Sequence, residues 1–317
     1  MKKNLLRLIV AFGLVTRQRS FVTSCAARVG RVTPCAPQPA HRFPNGAHGV
    51  TRPTLSRNLF VTVLVTAFAL MWSGCNTVPV TGRSQLSLIS ASEEMQLGLT
   101  SFDQLKKETP ISTDTAANAL LQKVGKRIAA IAAKDMPNAQ WEFVVFESKE
   151  ANAFCLPGGK VGVYTGILPI TKDEAGLATV LGHEIAHAVA RHGGERISEA
   201  MVIQTGGQLL NAGVSKADPL WQGVASTAYG VTTTVGRELP HSRAQESEAD
   251  HIGVIYMARA GYDPEASVQF WERFMASNNA QGGGTLPFLR THPTDEVRIR
   301  QLKGWMPEAK AQYHPAK

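Results

Sequence analysis

Cysteine is scarce in this chain. Four occur in 317 residues: Cys25, Cys35, Cys75 and Cys155. The first two fall inside a basic leader and the third at its end, so a processed chain with a modified Cys75 keeps Cys155 as its one free thiol. Such a chain has no internal disulfide and must fold on burial alone. Acidic residues are missing from residues 1–74, which carry ten Lys and Arg; the remainder has 23 basic against 25 acidic residues. The formal charge of +8 therefore belongs to the leader and implies no nucleic-acid partner. The apolar run Leu59–Trp72 has fourteen residues, short of the roughly 20 that span a bilayer. Internal repeats are absent too, which excludes a solenoid or propeller.

What the leader does contain is a signal. Arg52 and Arg57 precede the apolar run, and Ser73, Gly74 and Cys75 follow it. A basic flank, a short apolar stretch and small residues before a cut form a secretory pattern around residues 51–74. Ending on Gly-Cys, it resembles a bacterial lipoprotein signal, in which the Cys is lipidated and becomes the new N-terminus. Trp72 departs from that pattern, which usually has Leu there. An ordinary cleaved signal, an N-terminal anchor and a mitochondrial transit peptide are the alternatives, the last because residues 1–58 are Arg-rich and acid-free. Gly-Cys directly after an apolar run argues against the transit peptide. Residues 1–50 lack periodicity and read as an over-extended translation start.

The rest divides into a polar, lipidated tether over residues 75–90 and one domain over 91–317. Ser90 with Glu93 forms a capping box opening a helix to about Lys107. Leu120, Leu121, Val124, Ile128 and Ile131 recur at helical spacing within 115–134. Trp141–Phe146 and Val161–Thr165 read as strands separated by a Pro157-Gly158-Gly159 turn. Thr171 and Glu174 suggest a second capping box, for a helix stopping near Gly193-Gly194. Residues 197–237 mix amphipathic helix with glycine breaks. Ser242 with Gln245 suggests a further cap, for a helix ending at Gly261; Asp263 with Pro264 opens the next. A Gly/Asn loop is predicted over Ser277–Thr285 and a short final helix over Asp295–Trp305. Helices outnumber strands, so the class is α+β: mostly helical, with a small sheet.

One pattern carries chemistry. His183-Glu184-Ile185-Ala186-His187 is H-E-x-x-H. On a helix, residues i and i+4 share a face, so both imidazoles reach one cation while Glu184 is rotated toward a water beside it. Leu181 and Ile185 mark the core stripe, which aims the histidines away from the core and into a cleft. A catalytic zinc needs a third protein ligand and an open position. His241, Glu246, Glu248, Asp250 and His251 are the candidates. Glu246 and Asp250 share a helical face and Glu248 points roughly opposite, which suits Glu246 as ligand and Asp250 as acceptor for the second ring N–H of His183. A zinc kept purely for structure, in a chaperone-like binding protein, is the rival; it leaves Glu184 without a role.

H-E-x-x-H followed by the 242–250 string Ser-Arg-Ala-Gln-Glu-Ser-Glu-Ala-Asp resembles family 48 of the zinc metallopeptidases, with its HtpX, CAAX prenyl protease and BepA-like branches. Val78-Pro79-Val80-Thr81-Gly82-Arg83 resembles the segment that lipoprotein members carry after their lipidated Cys75. Asn152-Ala153-Phe154 with 157–159 resembles the family's substrate-binding strand, and Thr291-His292-Pro293 with Arg298 its C-terminal motif. The resemblance implies a gluzincin-type fold and one Zn²⁺ per chain on His183, His187 and Glu246. It makes Glu184 the general base. It places His292 and Arg298 beside the metal, as stabilisers of the developing oxyanion or, for His292, as an inhibitory fourth ligand. It further implies an endopeptidase for unfolded or misfolded envelope proteins at the periplasmic face of the outer membrane, held by its lipid, with outer-membrane assembly machinery as a partner. Anchoring in the inner membrane is the alternative placement. Cys155, His241 and His251 match no family feature.

Overall fold

The computed structural model describes residues 75–215, 217–234, 239–280, 288, 292 and 296–315. The expectations on residues 1–74 lie outside the described residues, as do Thr291 and Pro293.

The segment expected to be a tether is folded. Strands β1 (Cys75–Thr77) and β2 (Ser84–Leu86) pair antiparallel, with Cys75 opposite Leu86. Val80 and Gly82 take positive φ in the connecting turn, and Val78 and Gln85 are buried. Helix α1 (Ala91–Glu108) starts at the expected Ser90–Glu93 capping box. Helix α2 (Thr115–Ala132) starts at Asp114, whose carboxylate accepts from the amides of Ala116 and Ala117. Its Leu121, Val124 and Ile128 face the core at helical spacing.

Strands β3 (Glu142–Phe146), β4 (Ala153–Leu156) and β5 (Lys160–Tyr164) form a sheet of order β3-β5-β4. β3 runs parallel to β5, and β4 runs antiparallel to it. The turn between β4 and β5 needs positive φ at both Gly158 and Gly159, which glycine adopts without steric cost. β4 is an edge strand whose only ladder partner among the described residues is β5.

Helix α3 (Glu174–Val189) is the centre of the domain. Every residue from Gly176 to Ala186 is buried, including the H-E-x-x-H pair His183 and Glu184. Two sequence expectations fail at its ends. Asp173 is the N-cap, accepting from the Gly176 amide, while the Thr171 hydroxyl bonds back to Leu168 within a preceding helical turn. At the other end the reversal falls at Arg191, in the left-handed region, and not at Gly193-Gly194. The Arg191 guanidinium is fastened to the Glu94 carboxylate (2.7 Å) and the Ile89 carbonyl (3.0 Å). Gly194 lies inside helix α4 (His192–Val214), where any side chain would collide with Glu94.

Within the blurred 197–237 stretch the described residues form most of α4 and helix α5 (Pro219–Thr233). Helix α6 (Leu239–Arg259) begins before Ser242, so Ser242 and Gln245 sit within it and cap nothing. Gly261 closes it with positive φ, as expected. Helix α7 (Glu265–Ala280) includes Ser277–Ala280, the first part of the expected loop. Helix α8 (Glu296–Ala311) runs well past Trp305. Among the described residues no helix is long and apolar enough to cross a membrane.

Helices α3 and α6 cross at two glycines. A Cβ on Gly182 would lie 2.8 Å from the Gly253 carbonyl oxygen, and one on Gly253 would lie 2.9 Å from the His183 amide nitrogen. Both obstacles are backbone, so neither can swing aside. Gly253→Ala should therefore cost about 1–3 kcal/mol of overpacking, read as a lower urea midpoint. It should also weaken metal binding, because the ligands sit beside the crossing; a normal midpoint with normal metal affinity would refute this account.

Candidate metal centre

His183 and His187 project from one face of α3, and Glu246 and Asp250 from one face of α6. The crossing brings the two faces together. His183 Nε2 lies 3.1 Å from His187 Nε2 and 3.3 Å from Glu246 Oε2, and His187 Nε2 is 3.4 Å from Glu246 Oε1. His292 Nδ1 joins them, 3.2 Å from His183 Nε2 and 2.9 Å from Glu246 Oε2. A tetrahedral zinc with bonds of about 2.0–2.1 Å holds its ligands roughly 3.3 Å apart. The four donors therefore match such a polyhedron in size and chemical type. Glu246 Oε1 and Glu184 Oε1 are buried with no hydrogen-bond donor, an arrangement that a cation and a water would satisfy.

The sequence pattern put the histidines in a cleft facing away from the core. The structure buries His183 instead, at 2% exposed, and leaves His187 half-buried. The His183 ring meets Trp271 and Phe288 at centroid distances of 5.6 and 6.4 Å. The site lies inside the domain because α6 and α7 cover the face that the sequence left open.

Asp250 occupies the expected place. Its Oδ1 is 2.9 Å from His183 Nδ1, so that a proton held on Nδ1 would leave Nε2 to face the other donors. Arg298 grips the same carboxylate through Nε and, at 2.9 Å, through a second nitrogen. Its guanidinium stacks 3.9 Å over Trp271 and lies 3.4 Å from Glu246. Arg298 thus reaches the site, where it holds Asp250 and lies beside Glu246.

Burial shapes the charges. Glu184 is pushed up to about 7, mainly by desolvation, with the negative Glu246 adding to it and His292 opposing. Burial also presses on Glu246, but His292 and His187 outweigh it and hold the carboxyl well below the usual range. Glu184 is therefore suited to exchange a proton near neutrality, and Glu246 to stay anionic as a ligand. Burial raises the half-buried Cys155 thiol far above its usual range, which disfavours the reactive thiolate.

Sequence reasoning missed a second layer. Glu248 points away from the other donors, as expected, yet it is 7% exposed and not solvated. It bonds His192, Thr81 and Arg83. His192 in turn faces the far ring nitrogen of His187. His192 falls outside the i, i+4 spacing, and Arg83 is 100 residues before His183, so no local pattern marked them.

The model of peptidase family M48 matches residues 115–306. The mitochondrial metalloendopeptidase OMA1 of Schizosaccharomyces pombe is 35% identical, over 73% of this chain and 66% of its own length. The OMA1 of Saccharomyces cerevisiae is 31% identical over 77% of this chain and 75% of its own. The beta-barrel assembly-enhancing protease of Escherichia coli is 28% identical over 78% of this chain and 52% of its own. The chain thus spans about half to three quarters of these relatives.

Two substitutions separate ligand from base. Glu246→Ala should abolish stoichiometric zinc, measured by elemental analysis of the purified chain. Glu184→Gln should keep the metal and lose peptide cleavage by at least about 100-fold. Zinc lost from Glu184→Gln, or retained by Glu246→Ala, would reverse the assignment.

Proposed function

The chain belongs to peptidase family M48 and is a metalloendopeptidase; from that premise we propose that it is a zinc enzyme for unfolded or misfolded protein chains, held latent by His292 and anchored by a lipid on Cys75. The observation carrying this reading is the convergence of His183, His187, Glu246 and His292 on one polyhedron beside the unpartnered Glu184 oxygen.

His183, His187 and Glu246 would hold the zinc, which when bound supplies the Lewis acidity that makes water a nucleophile near pH 7. Glu184 takes the water's proton and returns it to the departing amine. The β4 edge supports binding of an extended chain. The Asn152 carbonyl accepts from the Tyr164 amide. By the alternation of an antiparallel ladder, Ala153 and Cys155 turn their backbone groups outward, with Phe154 between them. Main-chain pairing of that kind selects for exposed backbone more than for sequence, and unfolded proteins offer it.

His292 takes the place a water would need. The Phe288 carbonyl accepts from its amide at 2.8 Å, and the two rings lie tilted against each other at a centroid distance of 4.5 Å. A fourth protein ligand closes a zinc site, whereas catalysis needs one position open. Removing the imidazole should then raise basal casein cleavage several-fold and weaken zinc retention. If His292→Ala instead lowers kcat with zinc content unchanged, His292 is a transition-state donor and the latency proposal fails.

The envelope placement rests on Gly74-Cys75 after the apolar run and on the charge break there. β1 begins at Cys75, so a lipid on that residue would attach with no intervening tether. Outer-membrane assembly machinery as a partner draws on the name of the Escherichia coli relative, while the OMA1 relatives and the Arg-rich, acid-free leader support a mitochondrial reading. Mass spectrometry of the mature N-terminus separates them. A diacylated Cys75 is the expected result, and an unmodified N-terminus elsewhere would give the mitochondrial reading precedence.

A further inference from the structure

The two histidines of the centre are backed in parallel ways from opposite ends of the chain. On one side His183 leans on Asp250, which Arg298 of α8 clamps. On the other, His187 leans on His192, with the two Nδ1 atoms 2.8 Å apart. His192 Nε2 is 2.9 Å from Glu248 Oε2. Glu248 is clamped by the N-terminal hairpin: Arg83 Nε donates to Oε2 at 2.9 Å, and the Thr81 hydroxyl donates to Oε1. The remaining Arg83 nitrogens form a fork on Glu195 of α4, at 2.8 Å each. His192 is 1% exposed, so water is no substitute for these bonds.

One proton arrangement satisfies the whole path. A His187 that ligates through Nε2 carries its hydrogen on Nδ1 and donates it. His192 Nδ1 must then accept, which puts the His192 hydrogen on Nε2, aimed at the Glu248 carboxylate. That carboxylate keeps its remaining lone pairs for Thr81 and Arg83. Each bond thus has one donor and one acceptor, from the hairpin to the metal ligand.

We propose that Thr81 and Arg83 of the N-terminal hairpin, acting through Glu248 and His192, are positioning residues for His187, so that docking of the segment directly after Cys75 sets the metal affinity and turnover of the enzyme. This rests on the zinc-peptidase reading above.

The test uses the full chain, with zinc affinity measured by competition against a fluorescent chelator and kcat and KM measured separately on casein. His192→Ala should raise the zinc dissociation constant about 10–100-fold, the range for removing such supports. Arg83→Ala and Thr81→Val should raise it less, about 3–10-fold, and Arg83→Lys should rescue only in part because it lacks the fork. In all of them kcat should fall with KM little changed.

The decisive measurement is the cycle. Arg83→Ala added to His192→Ala should weaken zinc no further, since the path is already cut. A merely structural hairpin predicts additive losses that track the melting temperature of the metal-free protein, and that result would overturn the proposal. So would unchanged zinc affinity in Arg83→Ala. Should Arg83→Ala fail to fold, the isosteric Glu248→Gln and Thr81→Val carry the same cycle with His192→Ala. A wild-type chain that binds no zinc would instead overturn the functional reading on which this rests.

Discussion

The crossing of α3 and α6 at Gly182 and Gly253 is the constraint on which the centre depends. Helices that meet through ordinary side chains keep their axes about 8–10 Å apart. Here each helix removes its side chain at the contact, and the obstacle to either is the other's backbone. His183 is the next residue after Gly182, and Asp250 lies one turn before Gly253. The close approach therefore fixes the spacing between the ligating face of α3 and the carboxylate face of α6. Donor distances near 3.3 Å are a consequence of backbone packing as much as of the donors' own chemistry.

That packing places an unusual charge load inside the domain. Glu184, Glu246, Glu248, Asp250 and Arg298 are all buried within it. Isolated, each would be costly, and breaking such a pair costs about 3–5 kcal/mol. Asp250 is matched by Arg298 and Glu248 by Arg83. Glu246 has three imidazoles within ion-pair distance, which favour its anionic form. Glu184 differs. Its Oε1 accepts no hydrogen bond, and His292 Nε2 lies 3.5 Å from it. The single carboxylate without a firm partner is thus the one assigned to move a proton, which is the division of labour that separate environments impose on neighbouring acids.

What could be read from sequence follows the range of each interaction. H-E-x-x-H, the shared face of Glu246 and Asp250, and the caps at Ser90 and Asp263 are local patterns, and the structure has them. The expected cap at Thr171 failed because positive φ at Lys172 hands the role to Asp173. Gly193-Gly194 looked like a helix stop, but Gly194 is required by the approach of Glu94, 100 residues earlier in the chain. His292 and Arg298 were marked through family resemblance; each taken alone looks like a surface residue. The Arg83, Glu248 and His192 path joins three distant segments through polar side chains that individually resemble a solvated surface, and no periodicity reveals it.

The supports of the centre also explain how a closed site can open without falling apart. His183 is fixed by Asp250 and Arg298, His187 by His192, and Glu246 by its place on α6 with Arg298 alongside. None of these bonds runs through the His292 ring. His292 contacts the other donors and Phe288, and its backbone carbonyl accepts from Arg298 at 3.4 Å. Removing that ring therefore leaves three ligands still held by their own partners, and leaves Glu184 without its nearest imidazole. Three fixed donors, one vacated position and an adjacent carboxylate are what metal-assisted hydrolysis requires. On the proposed reading, latency and competence would differ by one side chain, because the remaining geometry is held by supports from both ends of the chain.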